Sequence, residues 1–381
     1  MKTVFYWSPC LNKVGTYKST VNSALSISRY SKNDISIKII DACGEWDEQK
    51  NFFQNYNIEI IDLGFDYFKN LPKFGFFKSR LSYSIIFLLS FFPLLRLLIK
   101  EKPDFIVVHL ITSLPLVLVN ILNIKTKCIL RISGYPKLNF FRKFFWRLVQ
   151  KKIFKVFCPS KELKSQLKKK NIFDEGKLIF LPDPIIWVKK MRQDLILSKD
   201  IPELKNKRKY FISVGRLTKQ KNFIFLCKAF KKVVNKYPNA KLLIAGEGED
   251  KEKINSYIIR NKLEENIITL GYIKNIFPLM YGAKLFILSS LWEDPGFVLI
   301  EASFCRTPTL TSNCETGPIE LIKDKKNGLV FESNNLESFF KKYEEFNKIK
   351  KIFDLKLNNL KMIKKFTLFQ HYKNFNKILS N

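Results

Sequence analysis

The chain has 381 residues, 46% of them hydrophobic, with 67 basic against 34 acidic side chains and a formal net charge of +33. At about 150 residues per domain this length suggests two domains, and the apolar content excludes a disordered chain. Such a charge fits anionic lipid, nucleic acid or phosphorylated substrates as partners, or simply a lysine-rich surface, while seven scattered cysteines without a C-x-x-C argue against a disulfide scaffold or zinc site and suit a reducing cytosol.

Taken in chain order, "TVFYW" (3–7) predicts a strand, and the opening apolar run stops at Ser8-Pro9, too soon for a secretory leader. A helix is expected at 19–30 and strands at 35–42 and 58–64. "LSYSIIFLLSFFPLL" (81–95) lies uncharged between Arg80 and Arg96. Its fifteen residues fall short of the roughly 20 that span a bilayer, and Pro93 interrupts them, so a buried or interfacial helix is expected. Strands follow at 104–110 and 127–133, helices at 113–122 and 140–153, and a strand entering a turn at 156–160. This alternation predicts a parallel sheet covered by helices on both faces.

Residues 182–206 break the rhythm with three prolines and mixed charge. The expected division is a domain over 1–185, a linker over 186–206, a second domain over 207–355 and a helical tail over 356–381, with its return to the first domain left open. Strands are expected again at 209–215, 240–246, 266–271, 284–290 and 307–312, and helices at 222–235, 250–262, 297–305 and 335–346. Two doubly wound domains imply a cleft, and open α/β sheets bind ligands at the carboxyl ends of their strands.

Two strand-to-helix turns carry chemistry. In "SVGRLTKQKNF" (213–223), Arg216 and Lys221 can both reach an anion near the next helix start. The plainer reading is a solvated basic loop. In "EDPGFVLIEA" (293–302), Glu293 precedes a turn and Glu301 follows an apolar run. Carboxylates are costly to bury without partners. Backbone amides around Gly296 and Phe297 would serve as helix N-terminal donors. Two carboxylates flanking an anion site suit a ligand with hydroxyls on both sides of a phosphate, as in a nucleotide sugar. One capping residue and one surface glutamate is the plainer reading.

The E-x7-E spacing, "GRLTKQKN" about 80 residues upstream, and "ASFCRTPTLTSNCETGPIELIKDKKNGLVF" together resemble the family 4 glycosyltransferases of the GT-B fold. The resemblance implies two Rossmann-like doubly wound domains facing across a cleft, with the first on the acceptor side. It implies that Arg216 and Lys221 hold the donor diphosphate, that Glu293 faces the sugar hydroxyls and that Glu301 binds the ribose. Gly296 and Phe297 match the backbone that meets the phosphate or sugar. "PDFIVVHL" places His109 at the donor sugar, and "NKVGTY" places Gly15 in the loop beneath the diphosphate, with Thr16 where the family has a second glycine. A lone histidine at a strand end is otherwise a satisfied hydrogen-bonding residue. There is no P-loop and no D-x-D, so no metal or further cofactor is expected.

The last candidate is 137–155, with seven basic residues, no acidic ones and six aromatics. Either it packs an aromatic face on the sheet or it lies on an anionic bilayer. The expectation is a retaining glycosyltransferase that uses a nucleotide sugar and a glycan or lipid-linked acceptor in envelope, capsule or lipopolysaccharide synthesis. It would sit in the cytoplasm on the inner face of the membrane and bind no nucleic acid. A basic nucleic-acid-binding protein and a phosphorylase or epimerase of the same fold are the alternatives.

Overall fold

The computed structural model describes residues 1–11, 15–72, 76–122, 124–132, 134, 136, 138–196, 209–293, 295–314 and 317–380. It divides into two units, Met1–Ile185 with Leu368–Asn381, and Ile186–Thr367.

The first unit runs β1 (Lys2–Trp7), α1 (Gly15–Tyr30), β2 (Ile35–Asp41), α2 (Lys50–Gln54), β3 (Ile58–Asp62), α3 (Phe76–Glu101), β4 (Phe105–Val108), α4 (Ser113–Ile121), β5 (Lys127–Arg131), α5 (Phe140–Val149), β6 (Ile153–Cys158), α6 (Lys161–Lys169) and β7 (Leu178–Phe180). The strands pair in parallel in the order β3-β2-β1-β4-β5-β6-β7. Val4, Phe5, Tyr6 and Trp7 are all fully buried, as expected of a strand covered on both faces.

The second unit runs α7 (Val188–Ile196), β8 (Tyr210–Val214), α8 (Phe223–Lys236), β9 (Lys241–Ala245), α9 (Lys251–Arg260), β10 (Ile267–Gly271), α10 (Phe277–Gly282), β11 (Leu285–Leu288), α11 (Phe297–Phe304), β12 (Thr309–Ser312), α12 (Pro318–Leu321), β13 (Leu329–Phe331), α13 (Leu336–Lys348) and α14 (Ile352–Ile363). Its parallel order, β10-β9-β8-β11-β12-β13, repeats the first unit's arrangement. Both are Rossmann-like doubly wound sheets.

Three segments differ from the sequence reading. Residues 188–196, read as linker, form α7, and 197–206 lie outside the described residues. The tail is shared: α14 belongs to the second unit, and α15 (Leu368–Ser380) packs on α1 in the first. There Ser26 Oγ donates to the Leu368 carbonyl at 2.5 Å, and Lys2 Nζ to that of Leu379 at 2.7 Å.

The third difference is α3, which runs unbroken through Pro93 for 26 residues. An interior proline costs a helix about 3 kcal/mol. Here Ile86, Leu94 and Leu98 are fully buried in the core on both sides of Pro93, and that packing outweighs the lost hydrogen bond. By length and composition Lys78–Glu101 could cross a bilayer, with only 28% of its most apolar window buried.

α5 also resolves an open alternative. Trp146 and Val149 are buried, but Phe140, Phe141, Phe144 and Leu148 are each more than 60% exposed. Phe145 and Trp146 pack on the core, so only part of the aromatic face, Phe140, Phe141 and Phe144, is left outside it.

Candidate functional site

In each sheet the strand order reverses direction once: between β1 and β4, and between β8 and β11. The loops leaving those strands diverge to opposite faces, and ligands bind in the gap.

In the second unit the loop after β8 carries Arg216 and Lys221, and the loop after β11 carries Glu293. The two loops are stitched together. Leu291 N–H donates to the Gln220 carbonyl at 2.8 Å, Gln220 Nε2 to the Trp292 carbonyl at 2.9 Å, and Ser289 Oγ to the Lys221 carbonyl at 2.9 Å. That bracing brings Lys221 and Glu293, 72 positions apart, into a salt bridge with both side chains largely buried. Ser290 Oγ also donates to Glu293 Oε1 at 2.6 Å. Lys221 therefore holds a carboxylate, where the sequence suggested a cation standing beside Arg216. Arg216 itself is exposed, 3.3 Å from Gln220 Oε1.

Glu301 is the fifth residue of α11 and is 8% exposed; Glu293 is 5% exposed. Neither is the surface glutamate of the plainer reading. Gly296 stands at the N-cap of α11 with φ +89°, a conformation only glycine adopts freely. No side-chain hydrogen bond caps this helix start among the described residues, and helix N-terminal amides such as that of Phe297 are ready donors to an anion.

The sequence reading gave no role to Gly246 in "GEGEDK". Its φ is +146°, and a Cβ there would stand 1.9 Å from the Gly215 carbonyl oxygen. Gly246 thus lets the end of β9 back the Arg216–Lys221 loop, and the two glycines of that motif were its only signal.

In the first unit, Gly15 opens α1 and is exposed; residues 12–14 of its loop lie outside the described residues. His109 follows β4, its N–H donating to the Trp7 carbonyl at 3.0 Å. The ring is 5% exposed, and Nδ1 has no partner. Burial, helped by the nearby Arg131 charge, pushes its pKa down to about 3. It is a neutral imidazole with a buried polar atom left over, and such atoms call for an explanation. Two residues on, Ile111 has φ +45°. A β-branched residue there is strained by about 1–3 kcal/mol, and such strain gathers at functional sites.

Beneath this edge lies a buried polar network the sequence did not announce. Arg131, at the end of β5, forms a salt bridge with Asp183, and both are about 95% buried. Burial opposes the Asp183 charge, but the Arg131 guanidinium outweighs it and holds the carboxyl below its usual value. Ser19 Oγ of α1 also donates to Asp183, at 2.5 Å. Beside it His371 of α15 is 3.1 Å from the Pro182 carbonyl through Nδ1 and 2.8 Å from Ser23 Oγ through Nε2. Burial lowers its pKa to about 4. The only hint was an aspartate between two prolines in "LPDP", 181–184.

Residues 197–360 match the glycosyl transferases group 1 family. The chain is 30% identical over 260 residues to an uncharacterised glycosyltransferase of Methanocaldococcus jannaschii, an alignment covering 64% of each chain. It is 28% identical over 218 residues to a Campylobacter jejuni enzyme named N-acetylgalactosamine-N,N'-diacetylbacillosaminyl-diphospho-undecaprenol 4-alpha-N-acetylgalactosaminyltransferase, covering 57% of this chain and 59% of that one. The chain thus spans less than two thirds of the curated relatives' length. Among solved structures, a glycosyltransferase from Rickettsia africae superposes with a TM-score of 0.76 at 16% identity, over all of this chain and 98% of that one. The fold is GT-B, and the match to the glycosyl transferases group 1 family lies in the C-terminal unit.

Proposed function

We propose that the protein transfers a sugar, with retention at the anomeric carbon, from a nucleotide-diphosphate donor to a hydroxyl of an envelope-glycan acceptor. The observation that carries this is the Lys221–Glu293 pair at the switch point of the second unit, with Glu301 buried on the helix that starts beside it. Cation, carboxylate and uncapped amides lie together, and a diphosphate flanked by hydroxylated rings needs those three groups.

In this reading the bond from the anomeric carbon to the diphosphate oxygen breaks as the acceptor oxygen bonds to that carbon. The acceptor proton passes to the departing diphosphate oxygen. The transition state is oxocarbenium-like. Lys221, Arg216 and the amides at Phe297 stabilise the growing negative charge. Glu293 orients sugar hydroxyls and Glu301 the ribose. His109, kept neutral, offers one hydrogen bond to a sugar hydroxyl with no ionic penalty. The chain's own residues supply this chemistry without a resident metal.

The Campylobacter jejuni relative is named for action on a diphospho-undecaprenol-linked sugar. That name, the exposed aromatic face of α5 and the +33 charge support an acceptor in the inner leaflet of the cell membrane, with the protein bound peripherally from the cytoplasm.

The test is a thermal-shift screen of nucleotide-diphosphate sugars. A donor at about 100 times its dissociation constant adds roughly 2.7 kcal/mol of stability. Stabilisation by one donor and its loss in Lys221→Ala is the expected result. No response to any sugar nucleotide defeats the reading.

A further inference from the structure

We infer that the first unit carries a second ligand site, at the amino edge of its sheet, for a small free phosphate ester with an apolar body. The site does not depend on the glycosyltransferase reading.

A cavity of about 810 Å³ lies at that edge. Its walls come from four places that the fold brings together: the start of β1, the carboxyl end of α3 with the first residues of β4, the α4–β5 connection, and the end of α15. Pockets for small molecules span roughly 300–1,000 Å³, so the space suits one such ligand. The strands are parallel, and β4 runs from Phe105 in the wall of this cavity toward His109 at the other edge. At about 3.3 Å per residue those two positions lie roughly 13 Å apart. A ligand seated here and one at the imidazole therefore occupy opposite edges of the sheet.

The lining joins an apolar floor to a ring of cations. Leu98, Phe105 and Leu379 are buried and form the floor, and Ile99, half exposed, extends it. Lys2, Lys102, Lys125 and Lys127 supply the cations. Against them stands one carboxylate, Asp104, which already accepts the Thr3 N–H at 2.7 Å. Elsewhere in the same unit Lys38, Lys50, Lys168 and Lys177 all have carboxylate partners. Among the described residues none of the four cavity lysines has one. Like charges gathered over an apolar floor without a counter-ion favour an anion from outside.

Three of the cations are fixed by the fold. Lys2 Nζ donates to the Leu379 carbonyl at 2.7 Å, tying β1 to α15. Lys127 Nζ stands 5.6 Å from the Phe105 ring centroid and 4.7 Å from that of Phe154. Those ring faces hold the ammonium beside the apolar floor without neutralising it. Lys102 closes α3 at φ +45°, a left-handed conformation in which glycine is the usual residue. A cation thus takes a backbone position that glycine would hold more easily. A phosphate ester meets both halves of the lining, its phosphate at the lysines and its apolar body on Leu98, Ile99 and Phe105.

The test is titration calorimetry on the full chain with three probes: 1-naphthyl phosphate, inorganic phosphate and 1-naphthol. The ester is expected to bind at least tenfold more tightly than either of the others. Lys102→Gln combined with Lys125→Gln, both exposed, should weaken it at least tenfold. Lys169→Gln combined with Lys170→Gln removes the same charge from an exposed stretch at the end of α6 and should leave it within twofold. Ile99→Gln should narrow the ester's advantage over inorganic phosphate at least threefold. Lys221→Ala, in the second unit, should change nothing. Equal binding of the ester and inorganic phosphate by wild type overturns the proposal, and so does an advantage that Ile99→Gln leaves intact. Equal loss in the two lysine pairs overturns it in favour of diffuse surface charge, and loss in Lys221→Ala in favour of the second unit's loop. Displacement of the ester by phosphatidylglycerol vesicles overturns it in favour of a lipid headgroup.

Discussion

At its switch point the second unit places opposite charges side by side: Lys221 on Glu293, Arg216 at the rim and Glu301 one turn into α11. The first unit, with the same strand order, places a buried neutral imidazole after β4 and keeps the ion pair Arg131–Asp183 inside the protein. One topology thus carries two edges of different electrostatic character. The charged edge suits a diphosphate, whose desolvation only ions and amides can offset. The first unit's edge instead holds a buried imidazole, kept neutral by burial and by the nearby Arg131 charge.

The largest effect should come from breaking the first unit's hidden pair. Asp183→Ala leaves the Arg131 guanidinium buried without a counter-ion, and breaking such pairs costs about 3–5 kcal/mol. Urea unfolding should show that loss. Asp183→Asn, which can still accept from Ser19, should lose less. Two stable variants would mean that water reaches Arg131 and that this edge is less enclosed than its counterpart.

Next in size is the surface that only the first unit carries. Each Lys or Arg near an anionic bilayer contributes about 1 kcal/mol. Replacing Arg142, Lys143, Arg147 and Lys151 of the α5 region with Gln should therefore release the protein from phosphatidylglycerol vesicles without altering donor binding. High salt should do so only in part, because Phe140, Phe141 and Phe144 stand exposed to insert. Equal flotation of wild type on neutral and anionic vesicles would remove the electrostatic argument.

The charged edge comes third. Charge-assisted hydrogen bonds are worth about 1.5–3 kcal/mol. Lys221→Ala and Arg216→Ala should each lower kcat/KM about tenfold or more, Lys221→Ala more, because it also strands Glu293. Glu293→Gln should reduce mainly kcat and Glu301→Gln mainly donor affinity, since ribose contacts differ little between ground and transition states. Variants that fold normally and keep wild-type kinetics would make this edge as inert as the Arg131–Asp183 pair.

What could be read from the sequence follows the same division. The second unit's site lies in two short loops, and the E-x7-E spacing holds because a turn and one helix separate the glutamates. The β-branched runs at 105–108 and 210–214 announced strands because both of their faces are buried. The first unit's network is assembled from positions 19, 131, 183 and 371, which only the folded sheet and the returning α15 bring together. No local pattern encodes that. β7 is three residues long, and α6 buries only Leu163 and Leu167 among its lysines, so both carried too little periodicity to stand out. α3 misled for the opposite reason: Pro93 is a strong local signal, and tertiary packing overrode it.

The smallest effect, and the one most specific to the first unit, is a pH slope. His109 and His371 are held neutral, with values near 3 and 4 against an ordinary 6.5. An unfolded chain takes up those two protons as pH falls through 6.5, and the folded chain does not. The stability they contribute is therefore fully present above about pH 6.5 and is lost progressively below it, down to pH 4 for His371 and pH 3 for His109. Each group adds a slope of about 1.4 kcal/mol per pH unit in that window. Asp183, depressed by Arg131, adds loss of the same sign only near its own lower range, below the ordinary carboxylate value. His371→Gln can still donate toward the Pro182 carbonyl but has no proton to gain. It should flatten the slope between pH 6 and pH 4.5 by about 1.4 kcal/mol per unit while leaving stability at pH 7.5 within about 1 kcal/mol. Unfolding midpoints in urea at four pH values are enough to measure it. An unchanged slope would mean that His371 already carries its proton in the folded protein, and the contrast between a neutral first edge and a charged second edge would then fail at its base.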